Sequence, residues 1–419
     1  MTSKAKSKSR AKNKSKKHIS KTTIRNLIIT LIAVIVLITS LITILYFRKK
    51  ESDKTVKIAF CGLTPEITEN LKKELPELEE VKLSFSELNK NDVDLGTLAE
   101  KFDLFFTWEG EITETLGKFS DDIPGKILQT IPTSLRKDLN SKDKKTYPIL
   151  LDHYEMAFYT PLSKNYNLDY PENWEAFQTY LQEASKHVFT PFFCEGGNDR
   201  TLLALVGSIV EARAGAAAYK KLISTLAAAE NLEAVLDLPL GECADGTITL
   251  RLVLDMLKQW AKDGLVHPLW YVATRNDVLY FMEDKQIAVL FDSLLEHRDV
   301  PYSIIKDYES MRVPADYEIA DHGVITPAIV CMLLSDNMNN DDLLRPFATE
   351  DVQSRLSMLS KLGPTQYRAE SYDRQADDVR FWAASCRFGS IPDIALAVYQ
   401  RSPDSLKAFA QEIRQYLKG

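Results

Sequence analysis

A long apolar run without any charge lies between Arg25 and Arg48, and it constrains this chain more than any other feature. Residues 27–47 would form a helix about 31 Å long, which matches a hydrocarbon core of roughly 30 Å. Ten Lys and Arg lie within residues 1–25, against three at 48–50. Because the more basic flank stays in the cytoplasm, we expect a basic cytoplasmic tail at 1–26, a transmembrane anchor at 27–47 and an extracytoplasmic remainder, periplasmic or at the cell surface.

A secretory signal peptide is the alternative interpretation of this run. The apolar core of a signal peptide usually spans about 7–15 residues and ends in small residues before a cleavage site. Here the run is longer and ends in Leu45, Tyr46 and Phe47, followed directly by basic residues. The pattern therefore favours an uncleaved anchor, although cleavage stays open. The basic tail beside it is predicted to contact anionic lipid.

The charge of the remaining chain excludes one class of partner. Of the 52 Lys and Arg, 13 lie in the first 50 residues. Residues 51–419 therefore contain 39 Lys and Arg and all 59 Asp and Glu, a formal net charge of −20. Nucleic-acid binding needs a basic face, so no nucleic-acid partner is expected. Five scattered cysteines, at 61, 194, 243, 331 and 386, show no paired or metal-ligand spacing. They are predicted to be mostly free, buried thiols, and no metal or cofactor is predicted.

Strands and helices alternate after the anchor. Apolar strand patterns at 56–60, 81–85 and 104–106 alternate with helical spacing at 65–75 and 95–101, while helices dominate after about residue 174. This order predicts an α/β fold with a mostly parallel sheet, and residues 55–419 exceed the usual size of one core, so two lobes are expected. Ligands bind beyond the carboxyl ends of such strands, which favours Trp108 and Glu109 as site residues.

Several stretches occur in the order found in one known family. They are 147–152 with Phe158 and Tyr159, then 170–177, 281–289, 362–365, and finally Phe381 with Trp382. Together they resemble extracytoplasmic solute-binding proteins of ATP-driven (ABC) importers, the maltose-binding class in particular. The resemblance covers nearly all of residues 55–419. The family's Gly before Lys285 is absent, and so is its Gly-rich turn near Asp292.

The resemblance implies a two-lobe fold of the periplasmic-binding-protein type with a hinge between the lobes. Lobe one would comprise about 55–151 and 288–330, and lobe two about 157–285 and 335–419. The implied function is a membrane-anchored receptor for a carbohydrate or related small solute, which it passes to the transmembrane subunits of an ABC permease by hinge closure. The alternative is a tethered sensor or scaffold that uses the same fold without transport.

Candidate ligand residues combine flat rings with hydrogen-bonding side chains. Sugar rings pack on aromatic faces, and carboxylates accept hydroxyl protons. Trp108 follows a predicted strand end, and the resemblance places Trp382 as an aromatic platform, with Asp152, Glu195 and Asp292 as ligand carboxylates. Arg387 is a candidate bidentate donor. The complete set is Trp108, Glu109, Asp152, Glu195, Asp292, Trp382 and Arg387.

No catalytic motif appears in the chain. The sequence contains no G-x-S-x-G, H-E-x-x-H or P-loop motif, and its six histidines are scattered. Asp152 and His153 are adjacent, and adjacent strand residues point to opposite faces. We therefore expect a binding protein rather than an enzyme.

Overall fold

The computed structural model describes residues 32, 34–40, 55–77, 81–89, 94–136, 144–335 and 340–419. Within the predicted anchor, residues 32 and 34–40 are helical, and their side chains are exposed, with Leu37 at 70%. The predicted basic tail at 1–26 and the rest of the anchor lie outside the described residues, so both stay predictions. Residues 56–419 form one compact unit.

The elements of this unit follow one another along the chain. The strands are β1 (Thr55–Cys61), β2 (Lys82–Leu88), β3 (Leu104–Trp108), β4 (Tyr147–Leu151), β5 (Tyr154–Tyr159), β6 (Thr190–Cys194), β7 (Gly241–Cys243), β8 (Gly246–Ile248), β9 (Ile287–Ser293), β10 (Tyr308–Met311), β11 (Val324–Ile325), β12 (Ala328–Leu333), β13 (Gly363–Pro364) and β14 (Ser390–Ile391). The α-helices are α1 (Pro65–Glu74), α2 (Leu95–Lys101), α3 (Glu111–Leu116), α4 (Gly125–Leu128), α5 (Thr133–Arg136), α6 (Thr160–Tyr166), α7 (Trp174–Ala184), α8 (Asp199–Ala227), α9 (Leu250–Lys262), α10 (Arg275–Glu283), α11 (Leu294–His297), α12 (Tyr302–Ile305), α13 (Asn340–Leu344), α14 (Glu350–Ser360), α15 (Arg374–Ser385), α16 (Ile394–Tyr399) and α17 (Pro403–Lys418). Short 3-10 turns lie at Trp270–Val272 and Arg345–Ala348.

Two sheets organise the unit. The first has the strand order β13-β4-β12-β3-β1-β2, and the second has the order β10-β5-β9-β6. β1 and β3 run parallel, as do β6 and β9, whereas β12 runs antiparallel to both β3 and β4. The sheets are therefore mixed rather than mostly parallel. The predicted α/β class with two sheet-centred lobes is confirmed.

Each sheet carries its own apolar core. The first core includes Phe106 and Ile329, both fully buried, and the second includes Phe192, Phe291 and the long helix α8. All five cysteines are buried, and Cys194, Cys243, Cys331 and Cys386 are free thiols. The loss of water from these side chains is the main contribution to folding, at roughly 25 cal/mol per Å² of apolar surface.

The lobe boundaries differ from those that the sequence implies. Residues 340–386 pack on the first sheet, because β13 is hydrogen-bonded to β4 and α14 packs on α1 and β4. Strands β9 and β10 belong to the second sheet, where both flank β5. The assignments of 288–330 to lobe one and of 335–419 to lobe two are therefore wrong for these segments. Only the part of 288–330 near β12 lies in the first sheet.

Helix α8 is the most apolar long helix of the described part of the chain. By length and composition it could cross a membrane, but 94% of its most apolar window is buried, so it is a core helix. Asn198 caps its start by accepting hydrogen bonds from the N–H groups of Arg200 and Thr201. The helix kinks at Gly215, which has φ of 78°. A Cβ there would lie 2.6 Å from the carbonyl oxygen of Asp321.

Candidate functional site

The ends of strands from both sheets meet where the chain first passes between them. β3 ends at Trp108, and β4 ends at Leu151, each beside the start of β12. The next two residues lead directly into β5, whose first residue, Tyr154, pairs with Ser293 at the end of β9. Side chains at these ends therefore converge on one region between the sheets.

Asp152 lies at this crossing and is fully buried. Its Oδ1 accepts hydrogen bonds from the backbone N–H groups of His153, at 2.9 Å, and Leu295, at 3.0 Å. Its Oδ2 has no hydrogen-bond partner among the described residues. Burial raises the pKa of Asp152 to about 6, and the positive charge of Arg200 opposes that rise. The crossing thus holds a carboxylate with one free acceptor.

Arg200, in the first turn of α8, lies beside Trp108. Its guanidinium carbon is 5.7 Å from the centroid of the Trp108 ring, within the range of a cation–π contact. Its Nε is 3.5 Å from Oδ2 of Asp393, and the Tyr154 hydroxyl donates to the same oxygen at 2.6 Å. The Trp108 carbonyl accepts from Gln400 at 2.8 Å. Trp108 is only 7% exposed, so its ring is largely enclosed by its neighbours.

A second group of charges lies at the ends of β6 and β9. Nη1 of Arg275 is 2.7 Å from Oδ2 of the buried Asp292, and its Nη2 donates to the carbonyl oxygen of Glu296. Burial raises the pKa of Asp292 well above its ordinary value, and the charge of Glu296 adds to the rise. The pKa of Glu195 is raised for the same two reasons. Carboxylates therefore outnumber cations here.

Trp382, on α15, contacts the crossing from the side of the first lobe. Its ring lies 5.0 Å from that of His153, centroid to centroid, in an edge-to-face arrangement. His153 in turn lies 3.0 Å from Oε2 of Glu155, and Nδ1 of His297 lies 2.6 Å from the other oxygen. Burial alone would raise the pKa of Glu155, but the two histidines hold it below its ordinary range. Trp382 is half-buried against the first core rather than free in an open cleft.

The remaining two predicted site residues make local contacts. Glu109 accepts a hydrogen bond from the Thr146 hydroxyl at 2.7 Å. Arg387 is exposed and pairs with Asp321 at 2.6 Å. The structure thus brings Trp108, Asp152, Glu195, Asp292 and Trp382 to the crossing and its edges, directly or through shared neighbours. A role in ligand binding for any of them stays a prediction.

Sequence reasoning missed the basic residues of this region. Arg200 lies in the first turn of α8, Arg275 begins α10, and both have buried carboxylates as neighbours. Asp393 was missed as well, although it caps α16 by accepting from the N–H of Leu396 at 2.8 Å. The cap residues before α8 and α16 were the available sequence signal, because an N-cap places the following side chains at a fixed helix end.

Comparisons with known proteins agree on the fold. No protein-family model matches the chain, and no curated protein matches it. The bacterial solute receptor AcbH, whose structure is described as showing a preference for β-D-galactopyranose, superposes with a TM-score of 0.70 at 13% identity over 87% of this chain and 92% of AcbH.

Two further solved structures give the same picture. One is described as the binding protein MsmE of Bacillus subtilis subsp. subtilis strain 168 in an open conformation. It superposes with a TM-score of 0.66 at 16% identity, over 87% of this chain and 93% of MsmE. A sugar transporter of Bacillus licheniformis in complex with stachyose superposes with a TM-score of 0.54 at 14% identity, over 87% of this chain and 98% of the transporter chain. At these identities the likeness shows the fold: the chain has the two-lobe α/β fold of solute-binding receptors.

Proposed function

We propose that this protein is a membrane-anchored extracytoplasmic receptor that binds a carbohydrate or a related small solute and delivers it to an ABC importer. One observation carries the proposal. At the crossing between the two sheets, the buried Asp152 and the neighbouring Arg200 keep polar atoms without hydrogen-bond partners beside the Trp108 ring. A flat ring with unpartnered donors and acceptors suits a hydroxyl-rich solute.

Hinge closure would couple binding to delivery. The chain passes between the sheets near Asp152 and near β11, so rotation about these short segments would open the site. A solute that contacts strand ends of both sheets would then favour the closed state. The fold neighbours described above, named as a solute receptor, a binding protein and a sugar transporter, support a binding role rather than a catalytic one.

The anchor at 27–47 would hold the receptor beside its permease. Its length and its basic flanks support this part of the proposal. The test is the intact mass of protein extracted from membranes, which should include residues 1–50. A mature chain that begins after about residue 48 would contradict the anchor and leave the solute-binding domain unaffected.

A thermal-shift screen tests the binding function. The full-length chain would be tested against neutral sugars, polyols, amino acids and polyamines. A ligand at 100 times its dissociation constant should add about 2.7 kcal/mol to the free energy of unfolding. We expect a neutral sugar or polyol to give the largest shift. If no compound of any class stabilises the chain, it is not an active solute receptor.

A tethered sensor or scaffold is the second candidate function. It is favoured by α16, which packs on both α8 and α3, and by the following Gln400, which donates to Trp108 and accepts from the N–H of Ile112. These contacts connect the lobes and would resist opening. Small-angle scattering with and without a bound sugar would separate the two functions, because a transport receptor should contract on binding.

A further inference from the structure

Helix α15 belongs to the first lobe and lies along the second. Near its start, Nε2 of Gln375 donates to the Ser310 hydroxyl of β10 at 2.6 Å. Near its end, Nη1 of Arg312, which follows β10, donates to the Ser385 hydroxyl at 3.0 Å. β10 is a strand of the second sheet, whereas α15 packs on β13 of the first. Side chains along α15 therefore hold the two lobes together.

The amide of Gln375 has a fixed orientation at this interface. Its Oε1 accepts from Nη1 of Arg298 at 3.0 Å, and Arg298 also donates to both oxygens of Asp373, at 2.6 and 2.7 Å. A guanidinium only donates hydrogen bonds, so the oxygen of the amide must face it. The NH2 group of Gln375 then faces Ser310 and Nε2 of His297, which lies 3.2 Å away.

This orientation determines where His297 carries its proton. The NH2 group of Gln375 has only donors to offer, so Nε2 of His297 must accept, and it holds no proton. The proton of the neutral ring then lies on Nδ1, which is 2.6 Å from Oε1 of Glu155. The Ser310 hydroxyl donates to the same oxygen at 2.7 Å. The docked interface is thus built around a neutral imidazole.

A second proton on His297 would place two donors against each other. An imidazolium donates from both nitrogens, so its Nε2–H would point at the NH2 group of Gln375. The amide cannot turn over without presenting that NH2 group to Arg298. Since His297 is 2% exposed, bulk water does not reach the opposed donors while α15 stays docked. Docking of α15 and a proton on Nε2 therefore exclude each other.

We propose that Gln375 and His297 form a proton-sensitive latch between the lobes. The latch stabilises the closed arrangement while Nε2 of His297 is unprotonated, and it is lost when the ring gains its second proton. Because histidine side chains change charge between about pH 5 and 8, mild acidification shifts the lobes toward opening. As a means of solute release the inference rests on the proposed receptor function, and it adds regulation of that site by pH.

Other titratable groups near the latch have to be separated from it. Asp378 lies one turn after Gln375 on α15, and burial raises its pKa to about 6, so it changes charge in the same range. The remaining charged or titratable neighbours are Glu155 on β5, His153 at the crossing, Glu296 and Arg298 beside His297 in the chain, and Asp373 and Arg374 at the start of α15. Of the groups that titrate, His297 is the one in contact with the NH2 group of Gln375, so substitutions at 297 and 375 isolate it.

Distances between the lobes of the full-length chain, in lipid nanodiscs and without solute, provide the test. Spin labels at Lys126→Cys on α4 and Thr179→Cys on α7 occupy exposed positions, one helix packing in the first core and the other in the second. The native cysteines are buried, which directs the labels to the introduced ones. Double electron–electron resonance at pH 5, 6, 7 and 8 then measures the ratio of long to short distances.

Three variants accompany the labelled chain. His297→Gln cannot titrate. Gln375→Glu has two acceptor oxygens, which can receive hydrogen bonds from Arg298 and from a protonated His297 together. The matched control is His187→Gln, because His187 is exposed and stacks on Tyr166, away from α15.

We expect the ratio of long to short distances to rise by at least about tenfold from pH 8 to pH 5, since the ratio of protonated to neutral imidazole changes tenfold per pH unit. His297→Gln should abolish this response, and His187→Gln should preserve it. Gln375→Glu should remove or reverse the response, because its carboxylate stabilises the closed arrangement when the ring is protonated.

Three results would overturn the inference: a distance ratio that is the same at pH 5 and 8, a His297→Gln variant that still responds to pH, or a Gln375→Glu variant that opens at pH 5 like the unmodified protein. The pH series without these substitutions decides the matter even if a variant does not fold. No solute takes part in the measurement. The latch can therefore fail while the thermal-shift screen supports the receptor function, and the receptor function can fail while the latch is observed.

Discussion

Replacing Asp152 by Asn should make the protein more stable and a poorer receptor. The buried carboxylate has a pKa raised from 3.8 to about 6, which corresponds to a cost of about 3 kcal/mol for holding the charge in the folded state. Asn has no charge, and its amide oxygen can still accept from the N–H groups of His153 and Leu295. At pH 8 the variant should therefore unfold with a free energy about 3 kcal/mol higher than that of the unmodified protein.

The pH dependence gives this prediction a distinctive form. Between about pH 4 and 6 the folded protein keeps a proton on Asp152 that the unfolded chain has lost. The contribution of Asp152 to the free energy of unfolding of the unmodified protein therefore falls as pH rises through that window. The gain in free energy of unfolding from Asp152→Asn should grow from near zero below about pH 4 to its full value above about pH 6. Urea unfolding followed by tryptophan fluorescence at pH 4, 5, 6 and 8 measures the difference.

A control and a refuting result complete the design. Asp121 is exposed, so Asp121→Asn should change stability by less than about 0.5 kcal/mol at every pH. Ligand affinity of Asp152→Asn should fall, because the amide replaces the free acceptor by a donor. An Asp152→Asn variant that is no more stable than the unmodified protein at pH 8 would refute the account of a strained, unpartnered carboxylate.

Three further substitutions probe other contacts. Glu155→Gln should lower the free energy of unfolding by about 3–5 kcal/mol near pH 7, because it leaves two buried histidines without their carboxylate. Since the pKa of Glu155 is depressed, this loss of stability should shrink as the pH of urea unfolding is lowered below about 4.5. A loss that stays constant with pH would contradict this. Trp382→Ala should weaken sugar binding by about 1–3 kcal/mol in calorimetry, while Phe381→Ala, at a neighbour 66% exposed, should not; a fall in melting temperature with unchanged affinity would make Trp382 a core residue only. Gly215→Ala should cost about 1–3 kcal/mol in urea unfolding, because only Gly tolerates that backbone conformation, whereas Gly125→Ala meets no atom within 4 Å and should be neutral; equal stability of the two variants would refute the kink argument.

The sequence predicted the parts of the fold that local patterns determine. Alternating strand and helix periodicity gave β1 to β3 and the helices between them, and the order of weak motifs gave the two-lobe architecture. The lobe boundaries failed at β9, β10 and β13, because these strands join their sheets by pairing with residues far away in the chain. Such pairing depends on which edges meet in space, and no local pattern records that.

The candidate site also contains residues that the sequence could predict and residues that it could not. Trp108 was predictable because a strand end is visible in the sequence, whereas Arg200 was not, because its importance comes from Trp108 and Asp393, which lie 92 residues before it and 193 after it. Arg387 illustrates the opposite error. Its residue type suits a ligand donor, but its position in the exposed turn after α15 directs it to Asp321.

Unpartnered charge at the crossing connects stability to function. On the proposed hinge mechanism, the buried Asp152 carboxylate and the Arg200 donors would weaken a ligand-free closed state, because each lacks a hydrogen bond that water would supply if the lobes separated. A bound sugar would supply those bonds, so the same atoms that destabilise the empty closed form would stabilise the occupied one. Ligand binding would then shift the population toward closure by the difference between these two states. Asp152→Asn removes that difference at its source, and the gain in stability and the loss of affinity should therefore appear together in one variant.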